Sequence, residues 1–163
     1  MTRIFTTLAA AGMAAAIAIG GAASVSLAQS QADIIKQRQA AMKDNGKEGK
    51  IIAEYAKSGK GSAKAVQAAA EKIVATAGKL GDLFPAGTSE DDPVGKANKT
   101  RAKAAIWTDM AKFKADDEAL KKAAEAVAKA AAAGDQKMVA DASKELNAAC
   151  GSCHKAFRGA AKK

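Results

Sequence analysis

Both cysteines and the only histidine of this chain fall within five residues near its C-terminus, in the sequence Cys150-Gly151-Ser152-Cys153-His154. Two thiols at this spacing can add across the two vinyl groups of a porphyrin, while the adjacent imidazole binds the iron from one side. The sequence therefore predicts one covalent haem c, with Cys150 and Cys153 as the thioether donors and His154 as an axial ligand of the iron.

Three other uses of the cluster explain it less well. A structural zinc ion needs four cysteine or histidine ligands, and the chain has no further residue of either type. A thioredoxin-type redox pair stands at the start of a helix beside a strand, and no segment here shows the two-residue alternation of a strand. A structural disulfide between residues three apart would close almost no loop.

The opposite side of the iron has no second histidine available to it. Met42 is the leading candidate there, because it lies mid-way along the inward stripe of the first predicted helix and a thioether can bind iron. A methionine that only packs over an open iron is the alternative. Arg38 lies one turn earlier on the same face and is expected to pair with a haem propionate, unless it is simply solvated.

Apolar residues at steps of three and four predict four amphipathic helices, at residues 32–56, 62–80, 100–132 and 135 or 136 to 159. Residues 81–99 contain both prolines and are predicted to form one long irregular connection. Short, long and short connections between four helices predict an all-α fold, an antiparallel four-helix bundle whose interior suits a cofactor. The haem motif falls within the fourth helix.

The first 28 residues have the pattern of a cleavable secretory signal. Arg3 precedes an apolar run from Leu8 to Val25, and the segment closes with Ser26-Leu27-Ala28. The run is rich in alanine and glycine and marginal in length for an uncleaved membrane anchor, which is the alternative. The mature domain is predicted to be residues 29–163, without a membrane span and located in the bacterial periplasm.

The chain is basic, with 26 Lys and Arg against 17 Asp and Glu, a net charge of +9 that becomes +8 without Arg3. The lysines are spread along the sequence, which is typical of a solvated surface, and an acidic redox partner is the alternative reason for them. Aromatic residues make up 4% and are too sparse for stacking on bases, so no nucleic acid is expected. No nucleophile and base stand out, so no enzymatic activity is expected.

With these features the chain resembles the class II c-type cytochromes, the cytochrome c′ and cytochrome c556 family, over nearly all of residues 32–160. Besides the haem motif, the resemblance is carried by Arg38-Gln39-Ala40-Ala41-Met42, by Met42-Lys43-Asp44-Asn45-Gly46, by Leu83-Phe84-Pro85-Ala86-Gly87-Thr88-Ser89, and by Ala104-Ala105-Ile106-Trp107 with Phe113. The family forms four-helix bundles, both as monomers and as homodimers.

The resemblance also implies residue roles. Cys150, Cys153 and His154 match the attachment and proximal-ligand positions. The matching haem-contacting positions are Arg38, Gln39, Thr88 and Ser89, and Arg158 matches an arginine beside the fifth-ligand pocket, with a solvent role as its alternative. In cytochrome c556 the methionine at the position similar to Met42 is a sixth ligand of the iron, which gives a low-spin electron carrier. Some cytochromes c′ keep a methionine there, leave the iron five-coordinate and bind nitric oxide or carbon monoxide. We expect an electron carrier, with gas binding as the alternative.

Overall fold

The computed structural model describes residues 20–161, with side chains from residue 30 onward. Residues 1–19, the larger part of the predicted signal, lie outside the described residues. The described part is helical and contains no strand, only an isolated bridge between Ala102 and Arg158. Within that part, no helix is both long and apolar enough to cross a membrane.

Six α-helices make up the part of the chain that the structure describes. They are α1 (Gly20–Ser58), α2 (Ala63–Ala77), α3 (Pro93–Ala97), α4 (Ala105–Thr108), α5 (Met110–Ala132) and α6 (Gln136–Phe157), with a 3-10 helix at Leu80–Leu83 between α2 and α3. The four long helices pack side by side, α1 on α2 and α6, and α5 on α2 and α6. The predicted all-α four-helix bundle is confirmed.

Short turns with clear local causes connect the long helices. After α1 the chain reverses through Gly59, which has a φ of 69° that suits glycine. Ser62 then caps α2, since its hydroxyl accepts a hydrogen bond from the backbone N–H of Ala65 at 3.1 Å. Gly134, with a φ of 73°, and the capping carboxylate of Asp135 make the turn into α6 in the same way. These turns place consecutive helices antiparallel.

The predicted start of the third helix is wrong. Residues 100–104 are not helical, α4 ends after a single turn, and the backbone leaves the helical region at Asp109, with φ −132° and ψ 57°. The Asp109 carboxylate then caps α5 by accepting from the backbone N–H of Lys112 at 3.1 Å. An aspartate that caps a new helix competes with continuing the old one, so the predicted single helix divides.

Further predicted boundaries differ from the structure. In the described part of the chain the first helix covers Gly20–Ser58, where 32–56 was predicted. Helix α2 ends at Ala77 rather than at residue 80, and α6 ends at Phe157 rather than at residue 159. The connection predicted as irregular contains the 3-10 helix and the short α3, with Pro93 in its first turn, where a missing N–H costs nothing.

The main apolar core lies between α2, α5 and α6, and α1 adds one buried residue, Ile52. Its buried members are small or medium in size, which lets the helices approach closely. They are Ile52, Val66, Ala69, Ala70, Ile73, Ala123, Ala124, Val127, Ala130, Ala131, Val139 and Leu146.

A second, aromatic cluster lies at the end of the bundle that holds the haem motif. The Phe84 and Phe113 rings meet edge to face with centroids 4.8 Å apart, and Phe113 meets Phe157 in the same way at 5.4 Å. Trp107 lies beside Phe84, and its Nε1 donates to the carbonyl oxygens of Phe84 and Pro85 at 3.0 and 3.1 Å. This cluster fixes the end of α6 against α5 and against the segment after α2.

Candidate functional site

A cavity of about 660 Å³ opens between three helices, α1, α5 and α6, and the segment that directly follows α3. This volume lies in the range of cofactor sites. Seven of the residues singled out from the sequence line its wall, namely Arg38, Gln39, Met42, Cys150, Cys153, His154 and Arg158. Phe84, Phe113 and Phe157 of the aromatic cluster line it as well.

The haem motif occupies the last two turns of α6. Cys150, Cys153 and His154 are each partly buried, and their spacing presents both thiols and the imidazole to the same cavity. Burial lowers the pKa of His154, and the positive charges of Arg158 and Arg101 lower it further. The imidazole is therefore neutral at pH 7 and has a nitrogen lone pair free to bind a metal ion.

Both thiols are held in their protonated form. Burial raises the pKa of Cys150, and it raises the pKa of Cys153 to about 11, with the carboxylates of Asp116 and Asp117 adding to the effect. A redox-active Cys-x-x-Cys pair depends on a lowered thiol pKa. The structure therefore argues against the thioredoxin-type alternative and fits thiols that form thioethers.

Across the cavity, α1 contributes Met42 and a recess beside it. Met42 is partly buried on the cavity wall, one turn beyond Arg38. Gly46 and Gly49 follow on the same wall, and a Cβ added at either would meet no atom within 4 Å. The wall of α1 beyond Met42 is thus open, which leaves space for a flat group to lie against the helix.

Arg38 is a buried cation, with only 3% of its surface exposed. Its Nη1 donates to the Thr88 hydroxyl at 2.7 Å, and its Nη2 donates to the Thr100 hydroxyl at 2.7 Å and to the Thr88 carbonyl oxygen. The guanidinium carbon lies 4.9 Å from the centre of the Phe84 ring. Burial lowers the pKa of Arg38 to about 10, so the side chain remains charged at neutral pH.

Every described partner of Arg38 is electrically neutral, and no described carboxylate forms an ion pair with it. A buried charge without a counter-ion is unfavourable. Because Arg38 lies on the cavity wall, an anionic substituent of a group bound in the cavity would supply that counter-ion. Haem c carries two propionates, so the arginine, the protonated thiols, the neutral imidazole and the recess in α1 all fit a covalent haem.

The family comparison decides the assignment. A family model described as Cytochrome C′ matches residues 33–158. This chain belongs to the cytochrome c′ family. Members of the family bind a covalently attached haem c, so this chain is a haem c protein with Cys150, Cys153 and His154 in the attachment motif.

Individual relatives agree with the family. A cytochrome c′ from Pararhodospirillum photometricum is 42% identical over 89 residues, which cover 55% of this chain and 66% of that protein. The crystal structure of cytochrome c′ from Thermochromatium tepidum matches with a TM-score of 0.72 and 30% identity over 80% of this chain and 97% of the other. A nitric oxide complex of a point mutant of cytochrome c′ from Alcaligenes xylosoxidans matches with a TM-score of 0.68 and 25% identity, over 82% and 97% of the chains.

Thr88 and Ser89 do not lie on the wall of this cytochrome c′ cavity. Thr88 is fully buried behind Arg38, and its hydroxyl also donates to the Pro85 carbonyl oxygen at 2.8 Å. Ser89 donates its hydroxyl and its backbone N–H to the Asp92 carboxylate, both at 2.7 Å. In this structure Thr88 orients Arg38, and Ser89 orders the loop that carries Thr88.

Gln39 and Arg158 lie at the rim of the cavity. Gln39 is exposed and its side-chain amide donates to the Asn98 carbonyl oxygen at 3.1 Å, which links α1 to the end of α3. Arg158 is also exposed, and its backbone N–H closes α6 on the His154 carbonyl oxygen at 3.0 Å. The positive charge of its side chain helps to lower the pKa of the His154 imidazole.

Thr100 and Arg101 are site residues that the sequence analysis missed. Both line the cavity because residues 101–103 lie alongside the end of α6, where Gly159 N–H donates to the Arg101 carbonyl oxygen at 2.7 Å and Lys103 N–H donates to that of Phe157 at 3.0 Å. This pairing joins segments far apart in sequence and has no local signal.

Asp116 and Asp117 were also missed, although a local signal existed. They belong to a run of three acids in an otherwise amphipathic helix, and both line the cavity and help to raise the pKa of the Cys153 thiol. Asp116 forms an ion pair with Lys112 at 3.1 Å. The Oδ1 atom of Asp117 is buried without a described hydrogen-bond partner.

Proposed function

We propose that this protein is an electron carrier whose haem iron is bound by His154 on one side and by Met42 on the other. The observation that carries the proposal is the position of Met42 on the cavity wall, one turn from the buried Arg38. Met42 provides the only thioether among the described residues of that wall. The haem supplies reversible one-electron chemistry, and histidine with methionine ligation favours its reduced state.

The protein's own residues support this role without a catalytic group. His154 stays neutral and thus available to the iron, Arg38 provides positive charge that balances a propionate, and the phenylalanine cluster excludes water from one end of the cavity. We accordingly propose that the chain is not an enzyme.

We also propose a periplasmic location and acidic redox partners for this protein. The signal-like N-terminus supports export to the periplasm, where haem c is attached, and the basic surface supports docking to acidic redox proteins. The oligomeric state follows the family as either monomer or homodimer. Mass spectrometry of the purified mature protein tests the cleavage after Ala28.

Binding of nitric oxide or carbon monoxide is the second candidate function. The open recess at Gly46 and Gly49 beside Met42 favours it, as does the similarity to a cytochrome c′ whose structure is a nitric oxide complex. In this case the iron is five-coordinate and Met42 covers its open side without binding it.

Visible spectra of the oxidised and reduced protein distinguish the two functions. A low-spin ferric spectrum with a methionine-to-iron charge-transfer band, unchanged by carbon monoxide after reduction, supports the electron carrier. A high-spin spectrum that shifts when carbon monoxide is added supports gas binding and contradicts Met42 ligation.

A further inference from the structure

Asp117 is the one described cavity-lining carboxylate with a buried oxygen that has no hydrogen-bond partner. Its Oδ1 receives no donor from any described residue, and the side chain forms no ion pair among them. Burial raises the pKa of Asp117 to about 6, and the neighbouring Glu118 adds to the increase. The charged form of this side chain is therefore poorly stabilised where it stands.

Asp116, the neighbouring cavity-lining carboxylate on α5, is stabilised by an ion pair. It lines the same cavity, but Lys112 Nζ lies 3.1 Å from each of its two oxygens. Asp116 therefore has the ion pair that Asp117 lacks. The two adjacent aspartates therefore allow a direct comparison, because they have the same side chain but only Asp116 has a positively charged partner.

Charged and titratable groups reach Asp117 from its own helix and from α6. On α5, Glu118 raises its pKa and Lys121 lowers it. On α6, Cys153 interacts with Asp117 as a thiol, and this group becomes an uncharged thioether on haem attachment. The cations that line the rest of the wall come from α1, from the segment after α3 and from the end of α6, and they are Arg38, Lys43, Lys50, Lys99, Arg101 and Arg158. None of them forms an ion pair with Asp117.

We propose that Asp117 binds a proton when the haem iron is reduced and releases it when the iron is oxidised. An electron from an external one-electron donor converts Fe(III) to Fe(II), and a proton from solvent converts the Asp117 carboxylate to the carboxylic acid; oxidation returns both. The added electron makes the cavity more negative by one charge, which disfavours a carboxylate that no donor stabilises. Asp116, by contrast, has Lys112 as an ion-pair partner on its own helix.

The proposal rests on the reversible one-electron cycle of the proposed function, but not on ligation by Met42. Voltammetry separates the two. A protein that cannot be reduced and reoxidised reversibly contradicts the electron-carrier function, whereas a reversible protein with a pH-independent potential contradicts only the role of Asp117.

The test measures the reduction potential of the haem-loaded protein between pH 5 and pH 9. We expect the potential to fall as the pH rises, with a limiting slope of about 59 mV per pH unit, the value of a tenfold change for one electron. Asp117→Asn is expected to abolish this slope, and the matched control Asp116→Asn is expected to retain it. A flat wild-type profile, a slope that persists in Asp117→Asn, or a slope lost equally in both variants overturns the proposal.

Infrared difference spectroscopy gives a second readout that does not require the asparagine variant to assemble. Reduction of the wild-type protein should produce a protonated-carboxyl band that shifts in D₂O, and Asp117→Glu should change the frequency of that band. Absence of the band, or a band that is the same in wild type and Asp117→Glu, rejects Asp117 as the proton acceptor.

Discussion

Thr88 holds the guanidinium of Arg38 through two acceptors at once, its side-chain hydroxyl 2.7 Å from Nη1 and its backbone carbonyl, which accepts from Nη2. Both residues are almost completely buried, at 0% and 3% exposure. Thr88 does not lie on the cavity wall, yet it sets the position of the cation that does. The position of Arg38 thus depends on a residue in the loop after α2, 50 positions away along the chain.

Thr88→Val is predicted to destabilise the protein by about 1–3 kcal/mol. Valine keeps the shape of threonine but removes an acceptor from a buried cation, and the unsatisfied group carries the cost. Chemical denaturation followed by circular dichroism measures the change. Thr108→Val is the control at an exposed threonine and should stay within about 0.5 kcal/mol of wild type. Equal losses in both variants would contradict the role given to Thr88.

Gly95→Ala is predicted to destabilise the loop that supplies the second hydroxyl to Arg38. Gly95 is buried, and an added Cβ would collide with the Ser89 carbonyl oxygen and lie 3.0 Å from Thr100 Cγ2. Backbone cannot move aside as a side chain can, so the cost is expected to be about 1–3 kcal/mol or more. Gly78→Ala, where the nearest atom is 3.8 Å away, is the control and should be close to neutral. Thermal unfolding of the three proteins provides the comparison.

The bundle and the attachment motif could be predicted because both depend on residues that are close together in the sequence. Helical periodicity needs only neighbouring residues, and Cys150, Cys153 and His154 share one short segment. The division at Asp109 was also accessible, since an aspartate three residues before the backbone N–H it caps is a known start signal for a helix.

The support around Arg38 could not be predicted in the same way. Thr100 reaches the guanidinium only because Gly95 accepts from its backbone N–H at 3.0 Å and because the following residues pair with the end of α6. These contacts join segments that no periodicity relates. The resemblance placed Thr88 near the haem, but only the structure places it behind the arginine.

Met42→Ala is predicted to convert a low-spin protein into a high-spin one that binds carbon monoxide, and to lower the reduction potential. Removal of the thioether leaves one side of the iron without a protein ligand, and methionine ligation is what favours the ferrous state. Visible spectroscopy and a redox titration measure both effects. Met138→Ala, at a methionine that is 49% exposed, is the control and should leave the spectrum unchanged. An unchanged spectrum in Met42→Ala would show that Met42 is not a ligand.

Asp117→Asn is predicted to raise stability at alkaline pH and to leave it nearly unchanged near pH 4. The folded protein holds the pKa of Asp117 at about 6, above the ordinary aspartate value of about 3.9. Between these two values the folded state binds more protons than the unfolded state, so the unfolding free energy falls as the pH rises. Above pH 6 the carboxyl group of Asp117 is ionised in the folded protein, so burial of its charge lowers the unfolding free energy by the full amount. A bound haem that excludes water from the cavity would increase this loss of stability.

A shift of two pKa units corresponds to nearly 3 kcal/mol, but the side chain is partly exposed and solvent screening reduces the expected gain at pH 8 to roughly 1 kcal/mol. Urea denaturation of wild type and Asp117→Asn at pH 4 and pH 8 measures it. In Asp116→Asn the asparagine loses the ion pair with Lys112, so this variant should be slightly less stable than wild type at pH 8. A gain in Asp117→Asn of equal size at both pH values would mean that its origin is packing and not the ionisation of the carboxyl group.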